Sequence, residues 1–150
     1  MRSLFVLRYR RLLLVFSTFS AVTFIFSHSL MSGDTSGEVS GGLFLRLEAV
    51  LGWLPFFDHA LLRKIAHFLE YALLGIHAPL YAVLWRRGVI VSSMLCLLVP
   101  LLDEGIQYFV PGRAASLQDA LLDTAGALFG CICTVAVLLM LNRRRKNEKG

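Results

Sequence analysis

The stretch VIVSSMLCLLVPLLDEGIQYFVPGR, Val89 to Arg113, decides the fold class of this chain. Its first half is apolar enough to lie in lipid, yet it ends in two carboxylates, a glutamine, a Pro-Gly turn and an arginine. Either the chain leaves a membrane at this point, or the polar groups belong to a site.

The composition of the whole chain agrees with a membrane environment. Hydrophobic residues make up 57% of the 150 residues, and the mean hydropathy is +0.68, well above the values of soluble proteins. Several apolar runs reach the length of roughly twenty residues that a helix needs to cross a bilayer. We therefore expect one domain of membrane-spanning helices.

The basic residues fall in three clusters that separate the apolar runs. The first cluster precedes the first run, Arg86 and Arg87 separate the second run from the third, and Arg143 to Lys149 follow the last. The positive-inside rule predicts this distribution for a chain that crosses four times and keeps both termini in the cytoplasm. The basic tail after the last run is then expected to be a cytoplasmic anchor in contact with anionic lipid, and the net charge of +5 predicts no nucleic-acid partner.

The hydropathy pattern predicts an all-α protein, a four-transmembrane-helix bundle that forms a single domain over residues 1–150. The spans are expected at about 12–30, 64–85, 88–110 and 117–141, with Ser116 as the N-cap of the last. The first run also resembles a signal peptide, but no Ala-x-Ala cleavage site follows and we favour an uncleaved span. Gly126 and Gly130 form a G-x-x-x-G pair suited to close helix packing.

The connection between the first two spans is expected to lie outside. We predict a loop from Met31 to Ser40 and an amphipathic helix from Leu43 to Leu54, which is too short to span. Trp53 would lie at headgroup depth, and Pro55 would end the helix.

Polar side chains cluster at the outer ends of spans two, three and four. His67, Glu70 and Tyr71 share one helical face because they are spaced i, i+3, i+4. Ionisable groups at membrane depth are costly and usually face the bundle interior or a water-filled cavity. We therefore predict a polar pocket open to the outer face. The predicted ligand-binding residues are Lys64, His67, Glu70, Tyr71, Asp103, Glu104, Gln107, Arg113, Asp119 and Asp123.

Two segments carry a resemblance to a known family. KIAHFLEYALLG at 64–75 and DEGIQYFVPGRAASLQDALLDTAG at 103–126, with the later Gly130, resemble the VanZ-like integral membrane proteins. Asp123 departs from the family pattern, which usually has Asn there. The resemblance implies a bacterial protein of the inner (cytoplasmic) membrane, and a link to glycopeptide resistance, notably to teicoplanin, at the cell envelope. The residues on the pattern are Lys64, His67, Tyr71, Glu104, Gln107, Pro111, Gly112, Arg113, Ser116, Asp119 and Gly126.

Three classes of function stay open at this point. The first is a non-enzymatic protein that binds a lipid-linked or cell-wall ligand through Arg113 and Lys64, with membrane lipids as partners. The second is an intramembrane enzyme acting on a lipid-linked substrate, with His67 as general base and the four acids of spans three and four around a divalent cation. The third is a small transporter that works as a dimer. We expect the first class, with no cofactor and no metal, and leave homo-oligomerisation open.

Overall fold

The computed structural model describes residues 2–52, 58–113 and 115–148, and within these residues all regular secondary structure is α-helix, as predicted. The helices are α1 (Arg2–Ser29), α2 (Gly33–Leu51), α3 (His59–Leu84), α4 (Gly88–Tyr108) and α5 (Leu117–Asn147). Helices α4 and α5 begin at the residues predicted for the third and fourth spans.

Three of the described helices, α1, α4 and α5, are long and apolar enough to cross a membrane. They leave large apolar side chains uncovered, such as Phe16 on α1, Leu101 on α4 and Ile132 on α5. Helix α3 is not among the three, because His67, Glu70 and other polar residues lower its hydropathy. Four membrane crossings were predicted, and three of the described helices are apolar enough to provide one. The crossing by α3 stays a prediction.

Helix α3 is the centre of the bundle and contacts each of the other four helices. Its contact with α5 is close because glycines face carbonyl oxygens across it. A Cβ atom on Gly75 would overlap the oxygen of Ala127, and a Cβ atom on Gly130 would overlap the oxygen of Ala72. Gly126 meets Phe68 in the same way, so the G-x-x-x-G pair serves the close packing that was predicted.

The opposite ends of α1 and α3 meet, so these two helices are antiparallel. Arg11, near the start of α1, donates hydrogen bonds of 3.0 and 2.6 Å to the main-chain oxygen of Leu84 at the end of α3. Its guanidinium lies 5.2 Å from the centroid of the Trp85 ring. A cation at a helix C-terminus satisfies carbonyl groups that the helix itself leaves free. We call this the basic end of the bundle and the other the site end.

The region before α3 differs from the sequence prediction. The predicted loop at Met31 to Ser40 is wrong from Gly33 onward, because α2 begins there and continues through Leu51. The hydroxyl of Ser32 accepts a hydrogen bond from the backbone of Thr35 and caps the helix, and Asp34 in the first turn suits its N-terminal dipole. Trp53 and Pro55 lie outside the described residues.

Candidate functional site

Polar side chains are buried at the site end, where α1 and α4 finish and α3 and α5 are in their first turns. Ser29, Asp103, Glu104, Gln107 and Asp123 are all buried, while large apolar side chains cover the outside. A soluble protein would bury the apolar groups and expose the carboxylates. This inverted arrangement fits a bundle surrounded by lipid, with its polar groups gathered between helices.

The Asp103 carboxylate accepts hydrogen bonds from two neutral side chains. The Ser29 hydroxyl, on α1, donates to Oδ1 of Asp103. The amide Nε2 of Gln107, one turn along α4, donates to Oδ2 at 3.0 Å and approaches the Ser29 oxygen at 3.5 Å. The carboxylate is 0% exposed and is fixed in position by groups that carry no charge.

The Asp123 carboxylate, in contrast, has no hydrogen-bond partner within the described residues. It is 0% exposed, and neither of its oxygens is bonded. The Nδ1 atom of His67 lies 3.6 Å from Oδ1 of Asp123, which is beyond a normal hydrogen bond. Nδ1 of His67 and the hydroxyl of Tyr71 are also buried, and neither has a hydrogen-bond partner in the described parts of the chain. Four polar atoms of neighbouring side chains are therefore unsatisfied in one small region.

The Glu104 carboxylate connects α4 to the start of α5. Its Oε2 atom accepts a hydrogen bond of 2.7 Å from the backbone N–H of Ser116, while Oε1 is buried without a partner. Ser116 occupies the N-cap position as predicted, but its hydroxyl makes no capping bond. Glu104 therefore satisfies a backbone group at the helix N-terminus, where a negative charge is favoured.

The Arg113 side chain lies against the end of α1 and the start of α2. Its guanidinium donates to the main-chain oxygens of His28 at 2.9 Å and Met31 at 3.3 Å, and to the hydroxyl of Ser36 at 3.0 Å. Burial lowers the pKa of Arg113, and the nearby Arg63 lowers it further. Two cationic groups therefore lie close together at the site end.

Two turns meet at the same end, the one between α1 and α2 and the one between α4 and α5. The N–H of Gly33 donates to the oxygen of Pro111 at 3.1 Å. Gly112 has a φ of 73°, a conformation that glycine adopts without strain. A Cβ atom on Gly33 would overlap the oxygen of Gly112, so this backbone approach depends on a residue without a side chain.

Two neighbouring cavities open among these side chains. The first, called the polar cavity here, has a volume of about 190 Å³. The second has a volume of about 200 Å³, contacts α2, and shares Arg63, His67 and Arg113 with the first. The polar cavity is lined by Arg63, Lys64, His67, Glu104, Gln107, Gly112, Arg113, Asp119, Leu122 and Asp123.

Most of the predicted site residues line the polar cavity. Glu70 lines the second cavity, where its Oε1 atom lies 3.1 Å from Nδ1 of His28. Tyr71 and Asp103 are buried beside the cavities without lining either. The predicted residues on the polar cavity are Lys64, His67, Glu104, Gln107, Arg113, Asp119 and Asp123.

The sequence prediction missed the contribution of α1 and of Arg63. His28 and Ser29 lie at the end of the first apolar run, at the depth where polar groups of the other helices were already expected. Applying the same depth argument to that run would have found them. Arg63 was visible as the basic neighbour of Lys64, and it lines both cavities.

The chain is similar to a known protein family. A family model described as VanZ/LLP1 matches residues 7–140, a range that contains the whole site. No curated protein and no solved structure matches the chain.

Proposed function

We propose that this chain, which belongs to the VanZ/LLP1 family, binds the anionic headgroup of a lipid or lipid-linked ligand in its polar cavity. The family and the apolar helices indicate a membrane protein. A cavity between helices in such a protein is reached most directly by molecules that are themselves anchored in the bilayer. Membrane lipids and lipid-linked cell-envelope ligands are therefore the proposed partners.

The cationic groups of the polar cavity carry this proposal. Arg63, Lys64 and Arg113 line it together, and no ion pair in the described part of the chain neutralises any of them. Arg63 is close enough to Arg113 to lower its pKa, so the two guanidinium groups repel each other. An anion between them would relieve this repulsion, and phosphate and carboxylate groups are the anions that arginine binds best.

The size of the cavity limits the ligand. Its volume of about 190 Å³ is below the roughly 300–1,000 Å³ of typical small-molecule pockets, so it suits a headgroup or one phosphate. A whole glycopeptide antibiotic is far too large for it. We propose that a role in teicoplanin resistance, which the family resemblance implies, acts through a cell-envelope ligand and not through binding of the drug.

The proposal includes a topology in which α3 supplies a fourth crossing of the bacterial cytoplasmic membrane. His67 of α3 faces Asp123 of α5, and Glu70 faces His28 of α1, which lowers the cost of placing these two side chains in the bilayer. Arg11, Arg86 and Arg144 lie toward the basic end, the cytoplasmic end by the positive-inside rule. Both termini are then cytoplasmic, and the site end opens toward the outer leaflet.

An intramembrane enzyme is the second candidate, because the pair of His67 and Asp123 has the composition of a general base and its orienting carboxylate. The 3.6 Å between Nδ1 and Oδ1 would tighten to a hydrogen bond with a small movement. A lipid-linked substrate would then be processed as well as bound. Turnover of such a lipid by the purified protein, lost in His67→Ala, would favour the enzyme over the binding protein.

Lipid copurification tests the binding proposal. The chain is purified in lipid nanodiscs of mixed zwitterionic and anionic composition, and mass spectrometry counts the anionic lipids that stay bound. A charge-assisted hydrogen bond contributes about 1.5–3 kcal/mol, so Lys64→Ala and Arg63→Ala should each weaken binding about tenfold or more. Arg46→Ala, an exposed change on α2 that lines neither cavity, is the matched control. Equal retention of anionic lipid in all four proteins would contradict the proposal.

A further inference from the structure

A cluster of three potential metal ligands lies beside the polar cavity. His67, Asp103 and Asp123 each offer a ligand atom, and these atoms all lie within 4.8 Å of one another. Asp103 and Asp123 are 0% exposed, and both oxygens of Asp123 lack a hydrogen-bond partner within the described residues. Buried polar groups are normally satisfied, so unbonded carboxylate oxygens beside an unbonded imidazole nitrogen point to a missing partner.

The charges of the cluster do not balance. Two carboxylates are buried, and among the described residues the one ion pair to either of them is that of His67 with Asp123. Asp103 is bonded by neutral groups, and the guanidinium of Arg113 is directed toward α1 and α2 instead. Buried carboxylates are usually paired with a cation or coordinate a metal. Within the described residues, His67 is therefore the one group able to carry a positive charge in ion-pair contact with the two carboxylates.

We propose that His67, Asp103 and Asp123 bind a divalent first-row metal ion such as Zn²⁺ or Mn²⁺. One imidazole with two carboxylates is a donor set that these ions accept, and three protein ligands leave a position free for a further ligand. A tetrahedral ion with bonds of about 2.1 Å separates its ligand atoms by about 3.4 Å. His67 and Asp123 are already at 3.6 Å, and all three ligand atoms lie within 4.8 Å of one another, so the site needs only small movements of its ligands to hold such an ion.

The surroundings of the cluster resemble the outer shell of a metal site. Ligating carboxylates are commonly held by further hydrogen bonds, which is what Ser29 and Gln107 provide for Asp103. Each carboxylate oxygen has a second lone pair, so these bonds leave room for a metal. Because His67 and Asp123 also line the polar cavity, the free position would face that cavity and take a ligand oxygen.

This proposal replaces the expectation from the sequence that the site holds no metal. It stands apart from the headgroup proposal, because its ligands are buried acids and a histidine and not the cations of the cavity. A protein that holds metal but binds no anionic lipid would support the metal site and contradict the headgroup proposal. A metal-free protein that binds anionic lipid would support the headgroup proposal and contradict the metal site.

Metal analysis of the purified full chain tests the site. The chain is purified in detergent without chelator, and the metal content is measured by plasma mass spectrometry. We expect about one ion per wild-type chain. Asp123→Asn, which preserves shape, should lower the content at least fivefold, whereas the matched change Asp34→Asn on exposed α2 should leave it unchanged.

Thermal unfolding gives a second readout that does not depend on purification history. After treatment with a chelator, adding Zn²⁺ or Mn²⁺ should raise the Tm of the wild-type chain and of Asp34→Asn, but not that of Asp123→Asn. Size-exclusion chromatography checks that each variant is folded before the addition. A wild-type chain that carries no metal and shows no rise in Tm with either ion overturns the proposal, and Asp123 then holds a proton.

Discussion

The guanidinium of Arg113 donates a hydrogen bond of 2.9 Å to the main-chain oxygen of His28, which joins the turn after α4 to the end of α1. Further bonds reach Met31 and Ser36, so this one side chain connects three segments that are distant in the sequence. Carbonyl groups at the end of a helix have no partner within the helix, and Arg113 supplies one. Its contribution to stability has to be separated from any contribution to ligand binding.

Replacing Arg113 should therefore destabilise the protein. Arg113→Ala removes charge-assisted hydrogen bonds and should cost about 2 kcal/mol or more, with Arg113→Lys in between because lysine lacks the planar fork. Thermal unfolding in detergent measures the loss, and Arg46→Ala on exposed α2 is the control. Unfolding of Arg113→Ala at the wild-type temperature would show that these bonds contribute little.

Two glycine substitutions should change stability in opposite directions. A Cβ atom in Gly75→Ala would overlap the backbone of Ala127, and forcing the helices apart should cost about 1–3 kcal/mol. Apart from the neighbouring backbone of α4 itself, no atom of the described residues lies within 4 Å of a Cβ atom on Gly105, which is exposed. Gly105→Ala should therefore stabilise by up to about 1 kcal/mol through lower backbone entropy in the unfolded chain. Denaturation of the two variants side by side tests the close contact between α3 and α5. A change of the same sign in the free energy of unfolding of both variants would argue against it.

Two serines on α1 provide a matched pair for the buried network. Ser29→Ala removes the α1 donor to the buried Asp103 carboxylate and should cost about 1–3 kcal/mol. Ser27→Ala removes a hydroxyl that donates to the main-chain oxygen of Phe24 in its own helix, and should change stability by less than about 0.5 kcal/mol. Thermal unfolding measures both changes in stability. An equal change in the two variants would mean that the hydrogen bond between α1 and α4 does not stabilise the protein.

Cysteine labelling tests the four-span topology. In a variant without Cys96, Cys131 and Cys133, a cysteine at Arg8 and one at Arg144 should both react with a membrane-impermeant reagent only after the cells are permeabilised. A cysteine at Asp34 should react in intact cells. If α3 does not cross, the sites at Arg8 and Arg144 lie on opposite sides of the membrane, and one of them reacts without permeabilisation.

The parts of the fold that were predicted are those encoded by local signals. Helix α4 begins at Gly88, the last residue of an Arg-Arg-Gly turn, and α5 begins at Leu117, shortly after a Pro-Gly-Arg turn. Turns of this composition are local signals of a helix boundary. The start of α2 was missed because residues 33–42 are rich in glycine, which predicts a loop. The bond from Gly33 to Pro111 ties this start to a distant turn, a contact that neighbouring residues cannot indicate.

The candidate site divides in the same way. Helical spacing predicts that His67 shares a face with Glu70, and that Asp119 shares one with Asp123, because both pairs depend on one helix alone. The contact of Ser29 with Asp103 depends on which helix lies beside α4. The sequence of a single helix does not indicate which other helices pack against it. The unsatisfied state of Asp123 is also visible only once all its neighbours are placed.

The polarity of α3 has a consequence for how the chain is inserted during synthesis. The ribosome synthesises α3 before α4 and α5. In the proposed topology His67 and Tyr71 therefore reach the translocon before Asp103 and Asp123 have been synthesised. A helix of that composition gains little from entering lipid alone. In that topology, stable insertion of α3 would depend on the later arrival of α5, whose glycines Gly126 and Gly130 fit against its backbone.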